Sequence, residues 1–233
     1  MGCLASCCRR ICFGVEPLLD AAAVLQALRD QNTTSVIANG KSITDGDLVE
    51  IASALRDNRT VTALWIGDNL FGEAGVTLLA EAVRDNRTLI MLDLWKSNIG
   101  DAEAAILAAA VQQNRTLTQL CLRGNQIGDS GARALATALQ HNSTLKVLDL
   151  SDNQIGEGGA TALVQRKHNS TLATLVLLSQ RVVAAKVETP PLYSRRQSAA
   201  ARNGSGFGTV LLQCGGVRRS AVCATAPEDR DRN

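Results

Sequence analysis

Five asparagines set the frame of this chain. Asn58, Asn86, Asn114 and Asn142 recur at intervals of 28 residues, and Asn169 follows after 27. The phrase Arg56-Asp57-Asn58-Arg59-Thr60 returns as Arg84-Asp85-Asn86-Arg87-Thr88, with looser copies at 112–116 and 140–144. A period of this length marks an array of one supersecondary unit, in which each copy buries what its neighbours expose.

Every unit carries two periodicities. Counted from its first leucine, the copy at Leu117 has Leu120, Leu122, Asn125 and Ile127 at positions 4, 6, 9 and 11. The same places hold Leu148, Leu150, Asn153 and Ile155 after Leu145, and Leu64, Ile66, Asn69 and Phe71 after Val61. Alternation over so few residues predicts a brief strand. The second half changes to helical spacing, as in Val76, Leu79, Ala80, Val83 and again in Ala132, Leu135, Ala136, Leu139. Between the halves, pairs such as Gly128-Asp129 predict a turn glycine followed by an acid that caps the helix. Asn58 and its copies are expected to end each helix in a left-handed conformation. Ser97 stands where the other turns have asparagine; its hydroxyl makes fewer bonds, so this turn is expected to be weak. Near the start, the first strand can be aligned on Val36 or Ile37, and the two registers point opposite faces inward.

The L-x-x-L-x-L-x-x-N-x-I stretch, followed by a helix of the form G-A-x-A-L-A-x-A-L, resembles the leucine-rich repeat family in its ribonuclease-inhibitor-like subtype. That subtype is also found in NOD-like receptor repeat regions, the Ran GTPase-activating protein and tropomodulin. The resemblance runs from Val36 to Leu177, with a weaker helix over 17–30 before it. It implies an α/β fold: a right-handed leucine-rich-repeat solenoid, or horseshoe, with a parallel concave sheet and convex helices. The expected organisation is a flexible segment over 1–16, a capping helix over 17–32, repeats with a C-terminal cap over 33–187, and a mostly disordered basic tail over 188–233. The resemblance also suggests, as an alternative to simple binding, an activator of a small GTPase. None of that family's active residues carries over to these positions, and a degenerate repeat fragment without a ligand is a third reading.

Composition excludes several classes. Residues 16–180 hold 13 basic against 18 acidic side chains, and the whole chain has only 3% aromatic residues. An acidic body poor in aromatics suits neither a phosphate backbone nor stacked bases, so no nucleic acid is expected as a partner. No apolar run approaches the length needed to span a bilayer. His141 and His168 occupy equivalent helix ends, and Cys121 has no histidine beside it in the repeat lattice. Gly204, Gly206 and Gly208 lack the strand-to-helix setting of a phosphate loop, and G-x-x-x-x-G-K-[ST] is absent. The expectation is therefore a chain that is not an enzyme, with no cofactor, no metal site and no required small molecule. The recurrent Asn-x-Thr or Asn-x-Ser triplets belong to the repeat itself, which explains them without glycosylation.

Two groups of residues point to binding. Positions 3, 5, 7 and 8 of each unit face away from the leucine core, onto the concave side. Both tryptophans fall there, Trp65 at position 5 and Trp95 at position 7 of the next unit, with Asp68, Met91, Asp93, Lys96 and Arg123 around them and Asp149 continuing an acidic strip. Exposed aromatic, methionine and arginine side chains are the make-up of a binding hot spot, so another protein is the expected partner. At the other end, Met1-Gly2-Cys3-Leu4-Ala5-Ser6 fits the signal for myristoylation of Gly2. Cys3, Cys7 and Cys8 are candidate palmitate acceptors and Arg9 with Arg10 favours anionic lipid, which predicts a cytoplasmic protein tethered peripherally to a membrane. The grouping of four of the seven cysteines within the first twelve residues is no disulfide framework for the body.

Overall fold

The computed structural model describes residues 20–30, 32–165 and 171–178, together with the backbone of 209–214 and 217–218. Helix α1 (Ala21–Arg29) is followed by five strand–helix units: β1 (Ser35–Ile37) and α2 (Asp45–Asp57), β2 (Ala63–Trp65) and α3 (Glu73–Asp85), β3 (Met91–Asp93) and α4 (Asp101–Gln113), β4 (Gln119–Cys121) and α5 (Asp129–His141), then β5 (Val147–Asp149) and α6 (Glu157–Val164). Strand β6 (Thr174–Leu178) opens a sixth unit. These strands lie in one sheet in chain order, parallel from β1 to β6.

Register follows the repeat. Leu64 pairs with Leu92, Leu92 with Leu120, Leu120 with Leu148 and Leu148 with Leu175, so one position of every unit forms a single row. The first strand takes the Val36 register: Val36 pairs with Leu64 and is fully buried, while Ile37 joins the row of Trp65 on the open face. Leucines of positions 1, 4 and 6 meet the apolar helix face, and the core they form runs without a break from Val24 to Leu177. Each fully buried Leu, Ile or Val stabilises by about 1.5–3 kcal/mol, an amount that ordering of the chain largely offsets. The stack must curve, because strands repeat at about 4.8 Å and packed helices at about 8–10 Å; the sheet therefore takes the inside of the bend.

Eight residues of the tail are placed as strands. Residues of the segment read as mostly disordered form β7 (Thr209–Cys214), which pairs in parallel with β6, and β8 (Val217–Arg218), which turns back antiparallel. The backbone edge that β6 would otherwise leave open is thus paired. Residues 179–187 of the expected repeat-and-cap segment and the segment over 1–16 expected to be flexible lie outside the described residues. At the other end, α1 begins at Asp20, whose carboxylate accepts the Ala23 N–H, and packs on the first unit as a capping helix.

Side chains join consecutive units in three ways. First, the buried asparagine after each helix reaches backwards: Asn58, Asn86, Asn114 and Asn142 donate through Nδ2 to the carbonyls of Leu28, Leu55, Val83 and Val111, each at 2.7 Å. Their Oδ1 atoms accept the N–H groups two and three residues on. These residues are extended, with φ between −66° and −90°, instead of left-handed as expected. The extended backbone lets one amide close its own turn and satisfy the helix end of the preceding unit.

Second, the asparagine at position 9 holds the turn of the preceding unit. Asn69 accepts from the N–H of Lys41 and Ile43, and Asn125 from Ser97 and Ile99. Asn69, Asn125 and Asn153 also donate to Ala38, Leu94 and Leu122 of the unit before. Third, the aspartate at the start of one helix caps the next helix, not its own, which corrects the sequence reading. Asp45, Asp101 and Asp129 accept the N–H of Gly72, Gly128 and Gly156, at 2.7–2.9 Å. The carboxylate needs room three residues into the helix it caps. A Cβ on Gly131 or Gly159 would meet it at 2.8 or 2.7 Å, which is why glycine stands there. Units that receive no such aspartate cap themselves with an acid at that same place: Thr44 N bonds Asp47 and Gly100 N bonds Glu103.

Asn114→Ala removes five hydrogen bonds from a fully buried site and leaves the end of α3 and the turn after α4 unpaired. Leaving buried groups unmet costs about 1–3 kcal/mol apiece, so a loss of about 3 kcal/mol or more is expected in urea denaturation. Asn98→Ala, at an exposed turn residue, is expected to change the midpoint far less.

Candidate functional site

The open face of the sheet is built from rows running across the strands. Pairing places Ile37, Trp65, Asp93, Cys121, Asp149 and Val176 in the central row, and Ser35, Ala63, Met91, Gln119, Val147 and Thr174 in the row before it. Position 7 adds Gly67, Trp95, Arg123 and Ser151 at the ends of the strands, and position 8 adds Asp68, Lys96, Gly124 and Asp152. Position 8 is left-handed in five successive units, at Gly40, Asp68, Lys96, Gly124 and Asp152. That conformation turns the chain out of the sheet and lifts these side chains onto the rim.

The residues singled out in the sequence do come together, but they divide into two layers. Trp65 and Asp93 are not exposed, as a hot spot of two tryptophans required; only 9% and 4% of their surfaces remain accessible. Met91, Trp95 and Asp149 are half-buried, and Asp68, Lys96 and Arg123 are exposed. The outer layer is therefore Trp95 with its charged neighbours, resting on an inner row.

What seats Trp95 is a residue that pattern reading passed over. A Cβ on Gly67 would lie 2.1 Å from Trp95 Cδ1 and 2.7 Å from its Nε1, so the indole occupies the space a side chain would take. The missing side chain in one unit makes the bed for the aromatic ring of the next. Lys96 then lays its ammonium 4.9 Å from the ring centroid, within the range of a cation–π contact. Its stem passes Gly124, where a Cβ would meet Cγ at 3.0 Å. One strand on, Arg123 Nε bonds Asp152 Oδ2 at 2.7 Å. Exposure of this pair makes it worth little to stability, yet it fixes the guanidinium beside the aromatic corner. The glycine could have been found in the sequence only by asking which neighbour makes room for Trp95.

Beneath, Asp93 accepts the Trp95 N–H at 3.0 Å and the Cys121 thiol, while Asp149 makes the matching bond to Ser151 N–H at 2.9 Å. Burial pushes the Asp93 carboxyl above its ordinary value, the hydrogen bonds from Trp95 and Cys121 hold it back, and the nearby Asp149 charge adds to the rise. Cys121 is buried, not disulfide-bonded, and serves as a donor to Asp93. Among the described residues no three His, Cys, Asp or Glu side chains are grouped to hold a metal ion, and no helix is long and apolar enough to cross a membrane. Gly2, Cys3, Cys7 and Cys8 lie outside the described residues.

A carboxyl whose pKa is raised by folding binds its proton more tightly in the folded protein than in the unfolded chain. Its contribution to stability is fully present below the unfolded value, near 4, and is lost as pH rises through the folded one. Asp93→Asn keeps an oxygen for the Trp95 N–H and carries no charge. Urea melts across pH are expected to show it more stable than the wild type at neutral pH, with the advantage shrinking toward pH 4.

The family description "Leucine Rich repeat" matches residues 113–136 and 141–164, which are parts of the third, fourth and fifth units. No curated protein matches the chain. Among solved structures, the leiomodin-1 actin-binding site 2 is similar at 21% identity over 79% of this chain and 94% of that one, with a TM-score of 0.44. The tropomodulin C-terminal domain of Caenorhabditis elegans is similar at 15% identity over 80% and 99%, with a TM-score of 0.47. The matched segments share their period, strand register and asparagine ladders with the copies on either side, so the fold seen in them, a leucine-rich-repeat solenoid of parallel strands and helices, extends through the described repeats.

Proposed function

We propose that this protein is a non-enzymatic scaffold that holds a partner protein on its concave face, with Trp95 at the centre and Met91, Lys96 and Arg123 around it. The observation that carries the reading is the seat of Trp95: a half-buried indole laid on Gly67, with a lysine against its ring. An aromatic anchor already fixed by packing loses little freedom on binding, so more of the contact energy appears as affinity. Trp65 and Asp93 serve this surface from beneath, as its floor. Asp68, Asp149 and the Arg123–Asp152 pair surround the anchor with charges of both signs, suited to setting a partner's orientation.

The test is capture by the purified chain, followed by measured affinity for whatever is captured. Wild type is compared with Trp95→Ala/Lys96→Glu and with a convex-face control, Arg133→Glu, after all three are shown to fold. A partner held by the wild type and the control, and weakened about a hundredfold by the concave variant, is the expected result, since an interface anchor is worth about 2 kcal/mol or more. Equal affinity for all three overturns the concave reading.

We further propose that the first residues tether the scaffold to a membrane, which rests on the Gly2 signal with Cys3, Cys7 and Cys8 beside it. One acyl chain binds a bilayer marginally and a second makes the binding durable. In cell fractionation, Gly2→Ala is expected to move the protein to the soluble fraction; unchanged membrane association removes myristate as the anchor.

A further inference from the structure

The three kinds of side-chain link are not spread evenly. Between the first and second units all three are present, through Asn69, Asp45 and Asn86. Between the third and fourth all three recur, through Asn125, Asp101 and Asn142. Between the second unit (61–88) and the third (89–116), two of the three are missing. Ser97 replaces the turn asparagine, and its hydroxyl donates only to Trp95 O of its own unit, at 3.3 Å. Glu73 replaces the capping aspartate, and Gly100 N–H turns instead to Glu103 of its own helix. Of the three kinds only Asn114 remains, which bonds Val83 O and Asn86 O, with the Thr116 hydroxyl beside it also donating to Asn86 O.

The position of the loss matters as much as its extent. Asn114 lies on the edge where helices end and strands begin. The missing links both belong to the opposite edge, where strands end and helices begin. The same turn also holds two non-glycine residues in the left-handed region, Lys96 at φ 49° and Asn98 at φ 59°. Turns with asparagine at position 9, at Asn69, Asn125 and Asn153, have only one left-handed residue each, at position 8. Across this weakened edge one side chain does reach the preceding unit: Trp95, lying on Gly67.

We infer that the array opens more readily between its second and third units than at the joint on either side, hinged at Asn114, and that Trp95 on Gly67 is the clasp that closes the joint. The inference does not depend on the proposed partner, and it is tested on the protein alone. A partner that grips Trp95 would hold the clasp shut, so the binding surface and the mobile joint are one place.

Amide hydrogen exchange, resolved to single residues by NMR, reads the joint directly. On the opening edge, Ile66 N–H donates to Asp93 O and Asp68 N–H to Trp95 O. The corresponding amides one joint later are Leu94 and Lys96, which donate to Cys121 O and Arg123 O. On the hinge edge, Ile90 N–H donates to Thr62 O, as Thr118 does to Ile90 O one joint later. Two missing links lead to exchange about tenfold or more faster at Ile66 and Asp68 than at Leu94 and Lys96, with Ile90 and Thr118 alike. Trp95→Ala is expected to widen the difference on the opening edge and leave Ile90 unchanged. Installing the regular links with Ser97→Asn/Glu73→Asp/Glu103→Gly is expected to slow Ile66 and Asp68 to the level of the next joint. Equal protection of the two joints in the wild type overturns the inference. So does a Trp95→Ala variant that speeds exchange at every joint alike.

Discussion

A buried asparagine that bonds backwards is the interaction on which this structure depends. A strand of three residues and a helix of three or four turns cannot hold each other in place alone, since each leaves backbone groups open at its ends. The carboxamide carries a donor and an acceptor on one rigid plane. Asn86, Asn114 and Asn142 use the acceptor to close their own turn and the donor to reach the helix before it. The period of the sequence is thus the period of a hydrogen bond between neighbours. A serine or aspartate there would supply only part of the pattern.

Capping in relay extends the same principle. The aspartate that opens one helix serves the next, so the negative end of a side chain and the positive end of a helix belong to different units. The glycine that makes room for the carboxylate appears only in units that receive one. Where the aspartate is missing, an acid takes the glycine's place and caps locally, as Asp47 and Glu103 do. The two residue choices are one choice, made across a joint and not within a unit.

At the concave face the same dependence on neighbours produces the candidate site. Trp95 is exposed on one side because Gly67 of the preceding unit accepts it on the other. Asp93 lies buried because it sits between strands whose side chains enclose it, and its carboxyl serves the backbone of Trp95 instead of a ligand. Both the anchor and the floor beneath it are products of two adjacent units.

Much of this was legible in the residues. The repeat, the alternation of strand and helix, the leucine core and the smaller number of bonds made by Ser97 in its turn all follow from local patterns of spacing and side-chain chemistry. They can be read because each concerns one unit or the sum of identical ones. The tertiary structure decided what passes between units: the extended backbone of Asn58 and its copies, the relay of aspartate caps, the burial of Trp65 and Asp93, and the pairing of 209–214 with β6. A linear pattern states which face a side chain takes, but not how far its neighbours one repeat away cover it. That depends on stacking, where residues 28 apart in the chain become nearest neighbours.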